Sequence, residues 1–423
     1  MKKHLSIFLS LFLPLFASSA SEAAPSADAL RAEADALAAD IAARLGSSVR
    51  PSTPFPGVRP PVAPEADPIA AIDPAALAND QAEFNRMAVR FSKESSRHPL
   101  TPDDAAVLAD VLPRLTNLAA AADAFATPGY RSSLPGLVFP PDGPSSPVTY
   151  WIEPRFTDAV IAARYLTHRI RLALFQGDTA SAVADHARLR TITEILLREP
   201  SSLGPASAST FRNPAAFPGL PPDALADAAR DASALADDLE SRWPDLLLSD
   251  FHCTFSDSLS DVTPAPDGTP ADVWVQTLRL AALRHLDTTA DAIRDAFALP
   301  PGSDRAAALH PLPFDPKLPL PEHLAKVTVN VAWHATFLAL ARSRDNASIA
   351  LAAAALLRFH RDTGTLPDTL EALVPAYLPS LPLAFADGSP LAYTPTAEDA
   401  SPGFTLSFPD TPHAVFFPLP TTP

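Results

Sequence analysis

The side chains that could bind a metal ion or transfer a proton are scattered along this chain of 423 residues. Metal sites on helices need ligand pairs such as H-x-x-x-H or H-E-x-x-H, and no two histidines here have that spacing. The histidines weighed as ligands are His168, His186, His252, His285, His310, His323, His334 and His360. Because a metal site needs convergent ligands with supporting partners, these positions favour surface or hydrogen-bonded histidines. The sequence therefore predicts no metal ion and no cofactor, and it identifies no catalytic residue.

An acid–base pair is the other chemistry to consider. His168 could approach the Asp185–His186 pair if the helices that carry them pack together. The carboxylates that could serve as acid and base are Glu153, Asp158, Glu194 and Glu199. If the protein is a hydrolase, we expect a pocket in which at least two of four residues converge, namely His168, His186, Glu194 and His360.

The triplet His360-Arg361-Asp362 matches the catalytic-loop triplet of protein kinases. The asparagine that such a loop needs five positions after the aspartate is replaced by Pro367. The triplet is therefore predicted to be the polar end of a helix, where cationic side chains are favoured.

A single cysteine, Cys253, excludes an intramolecular disulfide. We expect a short strand within residues 246–266, which would point His252 away from Cys253. Without a base on its own face of the strand, the thiol is predicted to be buried and inert.

Helical hairpins account for most of the chain between these residues. The segments 156–175 and 179–197 are predicted to be antiparallel helices, because Gly177 can end the first and Asp178 can cap the second. The other predicted helices follow apolar spacing, and several of them begin at capping residues: 26–46, 73–93, 101–118, 223–243, 270–299, 322–341 and 346–363. The last two are expected to pack as a hairpin, with Asp345 or Asn346 as the cap of the second. Residues 200–222 are expected to form a loop.

The segment that follows residue 363 is predicted to form a small α+β unit. Gly364 can stop the preceding helix, and Leu366-Pro367-Asp368 can start a shorter one. Leu391 to Tyr393 is predicted to be the first strand of a small hairpin, with partners within residues 404–408 and 414–417.

This segment resembles the C-terminal module of uncharacterised exported helical proteins of planctomycete and verrucomicrobial genomes. It is also similar to the globular part of type II secretion pseudopilins. The residues that carry the resemblance are Arg361, Gly364, Leu366, Pro367, Leu370, Leu373, Val374, Pro375, Tyr377, Leu378, Pro382, Asp387, Gly388, Pro390, Leu391 and Tyr393. The first resemblance implies no particular reaction, and the second implies an accessory role in a secretion or pilus-like assembly.

The N-terminus has the features of a secretory signal peptide. Lys2 and Lys3 precede a short apolar stretch that ends near Phe16, and small residues follow, with Ala20 or Ala23 as the last residue before cleavage. Cleavage would leave a chain with no integral membrane segment. The sequence therefore predicts export to the periplasm or the cell surface.

Composition narrows the range of partners. The formal charge is 32 − 48 = −16, which argues against nucleic acid and against an anionic membrane surface as partners. With 49 prolines and only 13 glycines, the connections between helices are expected to be rigid.

The predicted fold class is mainly α, with helical hairpins or a bundle and a small α+β C-terminal module. The predicted domains are a signal peptide (1–23), an N-terminal helix (24–46), an exposed proline-rich linker (47–72), a helical domain (73–320), and a helical hairpin with the small module (321–423). The function that we expect is that of a non-catalytic interaction or scaffold protein that contacts other exported proteins, with Trp151, Trp274 and Trp333 as candidate contact surfaces. The alternatives are an exported hydrolase with a site between helices, and an accessory component of a secretion or pilus-like assembly.

Overall fold

The structure is a computed structural model that describes residues 25–49, 61–91, 100–134, 155–199, 203–254, 268–300, 302–308, 320–396, 402–409 and 414–419. These residues form a mainly helical protein with a small antiparallel sheet near the C-terminus, which confirms the predicted fold class. In chain order the helices are α1 (Ala27–Leu45), α2 (Pro74–Phe91), α3 (Pro102–Val111), α4 (Thr116–Phe125), α5 (Phe156–Phe175), α6 (Thr179–Leu196), α7 (Leu203–Phe211), α8 (Pro222–Thr254), α9 (Ala271–Ala298), α10 (Ser303–Ala308) and α11 (Leu320–Thr363). The strands are β1 (Ala392–Thr396), β2 (Gly403–Ser407) and β3 (Val415–Pro418). The predicted signal peptide lies outside the described residues.

Capping residues begin and end several helices where the sequence indicates. The Ser26 hydroxyl accepts a hydrogen bond from the Ala29 amide at 3.2 Å, and Gly46 ends α1 with a φ of 70°. In the α5–α6 hairpin, Gly177 has a φ of 75°, and the Asp178 carboxylate accepts from the Ser181 amide at 3.1 Å. The two helices of this hairpin pack against each other, as predicted.

Long helices form the centre of the molecule. Helix α11 packs on α8 and on α9, and α1 packs on α9. Ion pairs join α1 to α9: Arg279 to Asp35 at 2.6 Å, Arg284 to Glu33 at 2.7 Å, and Arg44 to Asp287. Buried apolar side chains from α1 to β3 form one hydrophobic core, so the predicted boundary at residue 320 separates elements that share a core.

The predicted hairpin within residues 322–363 is wrong, because α11 is one continuous helix. No glycine or proline separates the two predicted halves, and the polar side chains at the joint have partners. Arg344 lies 2.6 Å from Asp237 of α8 and 2.9 Å from Glu240. The Asp345 carboxylate accepts from the Phe385 amide at 2.8 Å, so it anchors the tail instead of capping a helix.

Residues 246–254 of the segment predicted to contain a strand are helical instead, because α8 continues through Pro244 to Thr254, and residues 255–266 lie outside the described residues. Leu247 and Phe251, one turn apart, are buried in the helical core, and this burial outweighs the cost of an internal proline. His252 and Cys253 are therefore neighbours on a helix, and the argument from opposite strand faces does not apply to them.

Two further predicted segments differ from the structure. The helix predicted over 101–118 breaks at Leu115, whose ψ of 59° is not helical, and the segments Pro102–Arg114 and Thr116–Phe125 are bent by 81° with respect to each other. The loop predicted over 200–222 contains α7, in which Gly204 lets the chain approach the end of α6: an added Cβ would lie 2.5 Å from the Leu196 carbonyl oxygen. The linker predicted to be exposed has a packed end, because Ile69 is buried.

The described part of the chain holds no single helix that is long and apolar enough to cross a membrane. The bent pair α3–α4 meets the length and composition criteria only when its two helices are taken together.

The C-terminal unit combines a turn and the sheet. The shorter helix predicted after Leu366 is a single 3₁₀ turn, Leu370–Leu373. The strand order is β1-β2-β3, both pairs antiparallel, as the predicted hairpin and its partners require. The Tyr393 hydroxyl donates to the Pro367 carbonyl oxygen at 2.9 Å, which ties β1 to the segment that follows α11.

Candidate functional site

A pocket of about 480 Å³ opens between the end of α4, one face of α6, the end of α7 and α8. This size falls within the range of small-molecule sites. The residues that line it are Phe125, Thr127, Pro128, Gly129, Tyr130, Ala187, Arg190, Thr191, Glu194, Ile195, Arg198, Arg212 and Asp231. Because three of them are arginines, we call it the arginine pocket.

Helix α6 supplies one wall of the arginine pocket. Ala187, Arg190, Thr191, Glu194 and Ile195 lie three and four residues apart and therefore share one face of the helix. The wall thus presents a guanidinium, a hydroxyl and a carboxylate beside apolar side chains.

The turn after α4 supplies the opposite wall. The Tyr130 amide donates to the Thr127 carbonyl oxygen at 3.1 Å, and Gly129 has a φ of 75° that permits the turn. The Tyr130 ring packs edge-on against Phe125 with a centroid distance of 5.0 Å. Arg198 donates to the Tyr130 carbonyl oxygen and so joins this turn to the end of α6.

The carboxylate of Asp67 stabilises this turn through hydrogen bonds. Its carboxylate accepts from the Ser133 amide and the Ser133 hydroxyl at 2.8 Å each, from the Ile69 amide at 3.0 Å, and from the Tyr130 hydroxyl at 3.2 Å. Burial alone would raise the pKa of Asp67, but the hydrogen bonds outweigh it and the pKa is lowered. Burial, together with the charge of Asp67, raises the pKa of Tyr130, so its hydroxyl remains protonated at neutral pH.

Two ion pairs organise the charges of the arginine pocket. Arg190 pairs with Asp231 of α8, with Nη2 2.7 Å from Oδ1. Arg212 donates from Nε to the Thr193 hydroxyl at 2.7 Å and pairs through Nη2 with Glu194. Burial raises the pKa of Asp231, although Arg190 and Arg212 act to lower it. With three arginines and two carboxylates, the lining carries one net positive charge in a chain of net charge −16.

The two histidines of the α5–α6 hairpin lie away from this pocket. His168 packs edge-on against Phe84 with a centroid distance of 5.8 Å, and His186 packs against Phe217 at 5.6 Å. Burial lowers the pKa of each to about 4, so both are uncharged at neutral pH. Asp185 pairs with Arg169 at 3.0 Å.

The remaining candidates from the sequence are dispersed. Of the four residues expected to converge in a hydrolytic site, Glu194 lines the arginine pocket, and His360 lies in the last turn of α11. Asp158 accepts from Gln81 at 2.9 Å, Glu199 is buried, and Glu153 lies outside the described residues. Within the described ranges, no group of three or more histidine, cysteine, aspartate or glutamate side chains could hold a metal ion.

Trp274, one of the three tryptophans proposed from the sequence as contact surfaces, does not lie at the surface. Its side chain is buried in the core, so it cannot serve as a contact surface. Trp151 and the side chain of Trp333 lie outside what the structure describes.

Sequence reasoning missed the arginines of the pocket and Asp231. Arg190, Glu194 and Arg198 recur every four residues, which is a signal that could have indicated one polar helix face. Arg212 and Asp231 come from other elements, and no local pattern connects them with α6.

Comparison with known proteins found no matching family model, no matching curated protein and no matching solved structure.

Proposed function

We propose that this chain is an exported, non-catalytic binding protein and that the arginine pocket is its binding site. The observation that carries this proposal is the set of guanidinium groups fixed by hydrogen bonds around an open pocket of about 480 Å³. Fixed guanidinium groups lose little freedom when a ligand binds, which favours recognition.

The groups of the pocket suit binding better than proton transfer. Arginine stays protonated at all physiological pH values, so it can recognise an anion but cannot act as a base. Glu194 and Asp231 are both engaged in ion pairs with arginines, and the Tyr130 hydroxyl donates to Asp67. The partners that we propose are therefore other exported proteins that present a ligand for this pocket.

Filling the pocket should weaken ligand binding without changing any charge. Ala187 is exposed on the pocket face of α6, so Ala187→Trp is expected to leave the fold intact and to occupy the space of a ligand. The matched control is Ala184→Trp, an exposed alanine one turn earlier on the same helix and outside the pocket lining. Titration calorimetry with a panel of small acids, amides, phosphates, sugars and blocked amino acids should detect at least one ligand that binds the parent chain.

The two variants separate binding in the pocket from binding elsewhere. We expect Ala187→Trp to raise the Kd of that ligand by more than about tenfold, a change of about 1.4 kcal/mol in binding free energy. Ala184→Trp should change the Kd by less than about twofold. Equal effects of both variants, or a parent chain that binds nothing in the panel or converts a panel compound to product, would refute the proposed function.

Export predicts a shortened N-terminus. When the full chain is produced in a bacterium with a general secretory pathway, mass spectrometry of the mature protein should show a chain that begins after Ala20 or Ala23. A substitution of both residues by a bulky side chain, such as tyrosine, should block this processing. Recovery of the intact chain in the cytoplasm alone would contradict export.

A further inference from the structure

The side chain of Arg212 is held in place by a hydrogen bond, whereas its ion-pair partner is an exposed side chain. The Arg212 side chain is only 10% exposed, and its Nε is anchored on the Thr193 hydroxyl. Its partner Glu194 is 60% exposed and lies at the pocket wall. An exposed carboxylate in an ion pair contributes little stability, so it can be replaced at small cost by another anion.

We propose that the arginine pocket binds a ligand with one carboxylate group, which displaces Glu194 from Arg212. This inference rests on the proposed binding function and adds the class of ligand. Arg212 then holds the ligand through its guanidinium, as it holds Glu194 in the structure. Glu194 turns outward into solvent, where an exposed carboxylate is stable by itself.

The charge of the pocket favours a monoanion. A ligand carboxylate that replaces the carboxylate of Glu194 at Arg212 leaves the net charge around Arg212 unchanged. A phosphate group carries about −1.5 to −2 charges at neutral pH and would bring more negative charge to Arg212 than the Glu194 carboxylate that it replaces. Arg190 is already paired with Asp231, an aspartate less exposed than Glu194, so that pair is the more difficult one to open.

The rest of the lining suits an apolar body attached to the carboxylate. Pro128 and Ala187 are exposed and provide apolar surface, and Thr127 and Thr191 provide hydroxyl groups. A ligand the size of an arylalkanoic acid or of a C-terminal amino acid fits a pocket of about 480 Å³.

The test compares compounds that share a phenyl group and differ in the charged group. The probes are 3-phenylpropanoate and its amide, N-acetylphenylalanine and its amide, and phenyl phosphate, each titrated into the full mature chain. We expect each carboxylate to bind at least about tenfold more tightly than its amide, because a charge-assisted hydrogen bond is lost. Tighter binding of N-acetylphenylalanine than of 3-phenylpropanoate would identify a peptide C-terminus as the source of the carboxylate, and the reverse order would identify a free organic acid.

If the ligand displaces Glu194, a variant without this carboxylate is expected to bind the ligand more tightly than the parent chain does. Glu194→Gln removes the competing anion and should lower the Kd of the carboxylate by about twofold to fivefold. Arg212→Gln should raise it by at least about tenfold, and Arg212→Lys should give an intermediate value. The control variants are Asp238→Asn and Arg242→Gln, which remove the same charges from an ion pair of α8 outside the pocket and should leave the Kd unchanged within about twofold.

The outcomes distinguish the two proposals. Weaker binding to Glu194→Gln, equal binding of acid and amide, or preference for phenyl phosphate would overturn the carboxylate exchange, while sensitivity to Ala187→Trp would still support a binding pocket. Should Arg212→Gln unfold in circular dichroism, the result for Glu194→Gln alone decides, because Glu194 is exposed.

Discussion

Replacement of Phe404 by alanine is expected to lower the free energy of unfolding by about 3–5 kcal/mol, the usual cost of removing a buried phenyl ring. Phe404 is fully buried on β2. Its ring stacks on Phe417 of β3 with a centroid distance of 5.3 Å and an interplanar angle of 14°, and it lies 6.2 Å from the ring of Tyr393 of β1. One side chain thus joins all three strands, and its loss should appear in urea denaturation followed by circular dichroism.

Phe416→Ala is the matched control for this experiment. Phe416 precedes Phe417 on β3, points to the other face of the sheet and is only half-buried. Its truncation should cost about 1 kcal/mol, since less apolar area returns to water. Equal losses for Phe404→Ala and Phe416→Ala would show that the stacked face does not hold the C-terminal unit together.

Asp345→Asn is expected to stabilise the protein at pH 7.5 by about 2–3 kcal/mol. Asp345 is a mostly buried carboxyl on α11, and burial, with a further contribution from Asp387, raises its pKa to about 6 even though the Phe385 amide donates to it. The charged form is therefore disfavoured in the folded protein. Asparagine removes this charge and keeps a carbonyl oxygen that can accept from Phe385.

The pH dependence follows from the direction of this shift. The ordinary pKa of an aspartate is about 3.8, so between pH 4 and 6 the folded chain binds more protons at Asp345 than the unfolded chain does. Its contribution to the free energy of unfolding consequently falls as the pH rises through this window and stays low above it. Thermal melts of the parent and Asp345→Asn should converge near pH 4 and separate toward pH 7.5.

Asp295→Asn provides the control for this prediction. Asp295 is an exposed carboxylate at the end of α9, and its replacement should change stability by less than about 0.5 kcal/mol. If Asp345→Asn and Asp295→Asn gave the same pH profile, the burial of Asp345 would not be the cause.

Local signals in the sequence predicted local structure well. Ser26, Gly46 and Asp178 act where they were expected, because a cap depends only on residues within one turn of it. The strands of the C-terminal sheet were also recognised, since apolar runs separated by proline and glycine mark them.

The errors occurred where packing overrides a local signal. Pro244 lies inside α8 and the polar joint before Asn346 lies inside α11, because these two helices pack along each other and supply partners such as Arg344 with Asp237 and Glu240. The arginine pocket was unpredictable for a related reason. Arg190, Arg212 and Asp231 are brought together by three different helical segments, and only Glu194 had been singled out beforehand.

The docking of α1 on α9 has a consequence for the order of assembly. The ion pair between Glu33 and Arg284 joins residues 251 positions apart, so the surface that receives the first described helix is synthesised long after that helix. A pairing of such high contact order is expected to form late and to slow the acquisition of the native state. Helix α1 would thus remain without its packing surface until α9 has been synthesised.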